Sequence, residues 1–224
     1  DFDVENCTNG NCDRRRQYLA AATDLLVSDL EFMANAWKQG GEARTALTDQ
    51  TAEEGLSTIL TGMGSLAYGE LGGERTKLGL MLHDPEEEHD CFSDNTHWSH
   101  YYDAKGIENV YLGEYKRVDG SWVKGPSLSA LIAKQDPALD LEMKADLKKT
   151  DAAGLAMVEA AKKGQTFDVL IAMNNTAGNA LVQTFVDSLV DQTRTTEDLI
   201  RTLDLQDITL EGSDSLDNPS AVFE

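Results

Sequence analysis

Apolar residues recur every three or four positions along most of the chain, and this spacing constrains the fold more than any other feature. Leu19, Ala22, Leu26, Leu30, Met33 and Trp37 form one stripe, and Leu56, Ile59, Leu60, Met63, Leu66 and Ala67 a second. Leu139, Met143, Leu147, Leu155 and Val158 form a third, and Leu170, Met173, Ala177, Leu181, Phe185 and Leu189 a fourth. Such spacing gives each segment one apolar face, the pattern of amphipathic helices. Local signals mark the ends. Asp13 suits an N-cap for the first helix and Gly40-Gly41 a stop. Thr51-Ala-Glu-Glu54 reads as a capping box, Ser127 as the cap of a short helix, and Asp136-Pro137 as the start of a long one. Thr166 or Asp168 opens the next, and Thr195 a last short helix. Gly55, Gly62, Gly64 and Gly69 punctuate the second stripe at a cost of about 1 kcal/mol each against alanine. A helix that keeps them is expected to meet a close neighbour. The expected fold class is all-α, an up-and-down bundle of long helices. The 224 residues are read as a single helical domain, a piece of something longer.

Two stretches depart from this pattern. From 82 to 125 the periodicity fades, and Asp119-Gly120 between Val110–Tyr115 and Ser121–Val123 predicts a small hairpin. Long irregular insertions in helical domains are often functional, and aromatic residues here (Phe92, Trp98, Tyr102) argue against disorder. Residues 211–224 are polar and acidic and predict a loose tail.

Charge narrows the function. With 19 Lys+Arg against 40 Asp+Glu the net charge is −21, which disfavours binding to nucleic acid or to anionic lipid and favours attraction of cations. No segment approaches the roughly 18–20 apolar residues of a membrane span. The chain opens on Asp1 with no signal-peptide pattern, as a processed or truncated piece would. Cys7 and Cys12 flank a turn-forming Asn-Gly and can come within disulfide reach, which implies an oxidising compartment. Cys91 is then left over, either free or paired with one of the other two, and the alternative is three ordinary cytosolic thiols.

All four histidines, His83, His89, His97 and His100, fall in one short window, among Asp84, Glu86, Glu87, Glu88, Asp90, Asp94 and Asp103. No Lys or Arg interrupts between Lys77 and Lys105. Imidazole and carboxylate together suit zinc, iron, manganese or copper. The candidate ligands are His97, His89, Glu88 and His100, with Ser93, Asp94 and Tyr101 beside them. If the chain is helical after Asn95, His97 and His100 share one face. The pattern is not the His-Glu-x-x-His of zinc peptidases, and a Ser93–His97 pair lacks an evident orienting acid. The competing reading is structural: these side chains cap helix ends and bond to one another in an acidic loop.

The run Glu86-Glu-Glu-His-Asp-Cys-Phe-Ser-Asp-Asn-Thr-His97, followed by Gly106-Ile-Glu-Asn-Val-Tyr-Leu-Gly113, resembles the imelysin-like family, in particular its iron-regulated protein A branch. Gly10-Asn-Cys-Asp-Arg-Arg-Arg-Gln-Tyr-Leu19 is similar to a second block of that branch. The resemblance implies a bacterial periplasmic or outer-membrane-anchored protein connected with iron uptake. It also implies an all-helical fold of two related bundles with a cleft where they meet. From the block it carries over Ser93, Asp94 and His97, with Glu88 and His89 as neighbours. The ligand implied is iron or an iron-bearing molecule, with an outer-membrane transport partner. Some members are labelled metallopeptidases, which makes that activity the alternative; a structural interaction module is the third. The family's Gly-x-His-x-x-Glu motif does not occur, since Gly79-Leu-Met-Leu-His83 has a different spacing. Its absence is expected of a chain that begins after it.

Overall fold

The computed structural model describes Phe2 and residues 5–223. Its contacts divide the chain into two compact units, Asp1–Gly55 and Leu56–Glu224. Asp1 and Glu224, the ends of the expected domain and tail, lie outside the described residues.

In the first unit Cys7 and Cys12 are joined by a disulfide, their Cα atoms 5.9 Å apart. Helix α1 (Cys12–Ala36) follows; its N-cap is Asn11 rather than Asp13, which sits in the first turn, 3.7 Å from Arg16. Cysteine at the helix start lets the disulfide fix where the chain enters it. The stripe of Leu26, Leu30, Met33 and Trp37 is exposed. After α2 (Glu42–Thr48), the capping box closes reciprocally at the start of α3 (Ala52–Ser65). The Thr51 N–H donates to Glu54 Oε2 at 2.9 Å, and the Glu54 N–H to Thr51 Oγ1 at 3.2 Å. Two orphan donors are thereby satisfied by side chains one turn apart.

The second unit is a ring of four helical rods, each packed on the next. The first runs from α3 through a π-helical segment, Leu66–Lys77, into α4 (Leu78–Leu82). The others are α5 (Thr96–Leu112), α7 (Pro137–Ala161) and α9 (Thr176–Thr202). The core they enclose includes Leu60, Leu71, Tyr111, Met143, Met157, Phe185 and Leu189, all fully buried. Strands β1 (Glu114–Lys116) and β2 (Trp122–Lys124) form the expected antiparallel hairpin, with Tyr115 opposite Val123. Helix α6 (Leu128–Gln135) starts where Ser127 Oγ accepts from the Ala130 N–H, and α7 where Asp136 Oδ1 accepts from the N–H groups of Ala138 and Leu139.

Three sequence expectations change. The window 82–125 is irregular only to Asn95; α5 then supplies one wall of the ring. Its inward face carries Thr96, His97 and His100 besides Ala104, Ile107 and Tyr111, so polar residues mask the stripe. The helix expected to run from 166 to 189 breaks at Ala172–Asn175 into α8 (Phe167–Ile171) and α9. Asn175 and Asn179 hold the break by donating side-chain N–H groups to the carbonyls of Val169, Leu170 and Ala172 at the end of α8. Helix α9 then continues through Thr195, whose hydroxyl donates to Asp146 at 2.7 Å, and no new helix starts there.

The tail from Glu211 is not loose. Ser213 and Ser215 are buried, the Ser213 hydroxyl donates to Glu74 at 2.6 Å, and Tyr68 donates to Asp217 at 2.7 Å. Helix α10 (Asp214–Asp217) packs on the π-helical segment. For Gly64 and Gly69, though not Gly55 or Gly62, the expected close neighbour is this segment: a Cβ on Gly64 would fall 2.6 Å from Leu210, and one on Gly69 2.7 Å from the Glu211 carbonyl.

Candidate functional site

The site is built where α4 hands over to α5. His83 ends α4 in the left-handed region (φ 54°), and its Nδ1–H donates to the Ile171 carbonyl at 2.6 Å, tying the exit to α8. Asp84 accepts from the Glu86 N–H and caps a short 3-10 turn, Pro85–Glu87, which delivers Glu88 into the protein. The connection closes on itself beyond that point. The Asp90 N–H donates to Thr96 Oγ1 at 2.9 Å, and the Asp90 carboxylate accepts from the Ser99 hydroxyl. A second 3-10 turn, Cys91–Ser93, ends at Asp94, also left-handed (φ 49°).

Glu88, Asp94 and Asp168 come together here: one carboxylate oxygen from each lies within 4.8 Å of the other two. Asp168 sits in the first turn of α8, where the Thr166 hydroxyl donates to it. Glu88 is only 6% exposed. Burial, and then the charge of Asp168, push its pKa up, against the Thr96 hydroxyl, which lowers it; Asp94 adds to the rise. Its Oε2 is buried without a hydrogen-bond partner. Among the described residues no Lys or Arg forms an ion pair with any of the three. A buried carboxylate facing two others is costly unless something positive offsets it.

The histidines are placed differently. His97 is buried beside the group, with Nδ1 lacking a partner. Burial lowers its pKa and Asp94 opposes that shift. His100 is fully buried, edge-on to Phe167 with ring centroids 5.1 Å apart, its Nδ1 3.4 Å from Thr76 Oγ1. Burial, reinforced by His89, Arg75 and His97, brings its pKa down to about 3, so it is a neutral imidazole. His89 is exposed, with its ring 6.4 Å from that of His100. Thr76 and Arg75 reach this region from the π-helical segment, whose wider turn is rare and recurs at functional sites. Arg75 bridges Glu70 at 3.1 Å and Asp103 at 3.4 Å. Ser93 is exposed and donates to the Asp90 carbonyl, while Tyr101 packs against Trp98 and Tyr102.

The structure thus gathers Glu88 and Asp94 with Asp168, sets His97 next to them, puts His100 against Thr76 and Phe167, and leaves His89 exposed near the His100 ring. Neither Ser93 nor Tyr101 belongs to the carboxylate group. Asp168 was legible only as a helix-start residue. Nothing local to it signals that α8 folds back onto the connection before α5.

Fold and site together define an all-helical protein in which one buried carboxylate, Glu88, lies close to the half-buried Asp168 and the exposed Asp94. The family model described as Imelysin matches residues 2–196, and the chain belongs to the imelysin family. No curated protein matches the chain. Among the described residues no helix is long and apolar enough to cross a membrane.

Proposed function

We propose that this chain is an extracytoplasmic protein of bacterial iron uptake that binds iron at the carboxylate group of Glu88, Asp94 and Asp168. The observation that carries the reading is Glu88 Oε2, buried and without a hydrogen-bond partner near the Asp94 and Asp168 carboxylates, with no Lys or Arg ion-paired to the three among the described residues. A bound cation turns that cost into attraction, and oxygen donors suit hard ions such as ferric iron. His97 supplies a nitrogen beside the oxygens, which favours a transition metal over calcium or magnesium. His89 and His100 act behind His97, and zinc is the alternative ion. The ligand arrives as the free ion or in an iron-bearing molecule, and an outer-membrane transport partner receives it. The Cys7–Cys12 pair and the acidic balance support a periplasmic setting, where disulfides persist and cations are scavenged.

The test is titration of chelator-stripped protein with ferric, ferrous, zinc and calcium ions, followed by calorimetry and thermal unfolding. One saturable site for iron, abolished in Glu88→Gln, is the expected result. Failure of every ion to bind, or binding unaltered by Glu88→Gln, overturns it. The metallopeptidase label carried by some imelysin-like proteins raises a second reading. A hydrolytic metal needs an open position, a bound water and a general base. Chelator-sensitive cleavage of an unfolded protein, lost in Glu88→Gln, would favour that reading over simple binding.

A further inference from the structure

A cavity that shares no residue with the carboxylate group opens between α5 and the hairpin. It measures about 600 Å³. One side is the aromatic face of α5, where Trp98 and Tyr102 stack with ring centroids 5.5 Å apart and planes 18° from parallel. Tyr101 meets both rings edge-on. Tyr115, Lys116, Arg117 and Val118 of the hairpin form the opposite side, with Lys105 at the floor. Tyr102 is 61% exposed and Tyr115 51%, so the hairpin has not closed onto the rings and the aromatic faces stay accessible.

The charge of this lining departs from that of the chain. Acids outnumber bases 40 to 19 overall, yet the cavity is lined by Lys105, Lys116 and Arg117 and by no carboxylate. Lys105 is held from behind by Glu108 and Asp151 and serves as wall. Lys162 lies over the Trp98 ring, 5.7 Å from its centroid, but is paired with Glu159. Lys116 and Arg117 have no carboxylate partner among the described residues. Glu114, the nearest acid on β1, is taken by Lys124.

We infer that this cavity binds a small planar aromatic carboxylate, its ring stacked on Tyr102, which Trp98 backs, and its carboxylate held by Lys116 and Arg117. Stacked and edge-on rings favour a flat π-system over an aliphatic one. A guanidinium offers a paired donor fork to a carboxylate. The partly open, mostly apolar lining with a few cationic groups is what a site for such a molecule requires. A macromolecular acid would not need the stacked rings.

The test is an amide NMR titration of the whole chain with three probes: 2-naphthoate, neutral 2-naphthamide and decalin-2-carboxylate. None of them is a strong metal chelator, so the result is independent of the carboxylate group. The inference requires saturable shifts in the amides of 98–118 with 2-naphthoate, and affinities at least tenfold weaker for the other two. It also requires a tenfold or greater loss of 2-naphthoate affinity in Lys116→Ala/Arg117→Ala, a surface change, and a comparable loss in Tyr102→Ala. Absence of saturable shifts overturns the inference. So does an equal response to naphthamide or to the decalin acid, or an unchanged affinity in the double variant.

Discussion

Glu88 and Asp168 bring carboxylate oxygens within 4.8 Å of each other across 80 residues of sequence, and Glu88 Oε2 has no hydrogen-bond partner. Two like charges so placed oppose folding until a cation joins them. Substitution at Glu88 is therefore expected to act in opposite directions with and without metal. In chelator, Glu88→Gln should stabilise the fold by about 1 kcal/mol, because the buried charge is removed. At a metal concentration of about 100 Kd the wild type should gain about 2.7 kcal/mol that the variant does not. Urea unfolding under both conditions measures the crossing.

His100 predicts a stability change on the acid side. Its pKa falls from the ordinary 6.5 to about 3 in the fold, so the unfolded chain takes up the proton first. Its contribution is complete above pH 6.5 and is lost as pH falls from there toward 3. At pH 4 the loss is about 3 kcal/mol relative to neutral pH. His100→Gln should flatten that limb of the stability curve, read as ΔG from urea melts at pH 7, 5.5 and 4.

Gly73 and Gly62 should respond oppositely to alanine. A Cβ on Gly73 would lie 2.2 Å from the Ser213 Cβ, whereas nothing lies within 4 Å of one on Gly62. Gly73→Ala should cost about 1–3 kcal/mol by forcing the tail off the π-helical segment, with new protease cleavage beyond Leu210. Gly62→Ala should stabilise by about 0.4–1 kcal/mol. Equal effects would mean that the tail does not pack there.

Tyr111 donates to Asp140 Oδ1 at 3.0 Å while Lys144 holds Oδ2 at 2.7 Å. Burial raises the Asp140 pKa, but Lys144, Ser129 and Tyr111 together bring it below the ordinary value. The bonded carboxylate thus stabilises the fold above about pH 4, and that contribution fades as pH falls through the folded pKa. Tyr111→Phe should cost about 1 kcal/mol at pH 7 and less at pH 3.

What the sequence revealed follows from the range of the interactions involved. The Thr51–Glu54 box, the Ser127 cap and the Asp136-Pro137 start are settled within one turn, so they were readable directly. Helix α5 was hidden because Thr96, His97 and His100 occupy its inward face, where the stripe should have been apolar. The tail was misread because its polar residues are satisfied by Tyr68 and Glu74, far away in sequence. The site was half visible. Glu88, Asp94 and His97 share a recognisable block, but Asp168 and Thr76 reach it only through the packing of α8 and the π-helical segment.

The central claim is that Glu88, Asp94 and Asp168 share one cation. Crystals of the chelator-stripped protein, soaked anaerobically in ferrous salt and recorded across the iron absorption edge, examine it most directly. The account predicts one dominant anomalous peak between the three carboxylates, with His97 beside it, and no peak there in Glu88→Gln. A dominant peak at His89 or His100 instead, or no ordered iron in protein that binds it in solution, would contradict it.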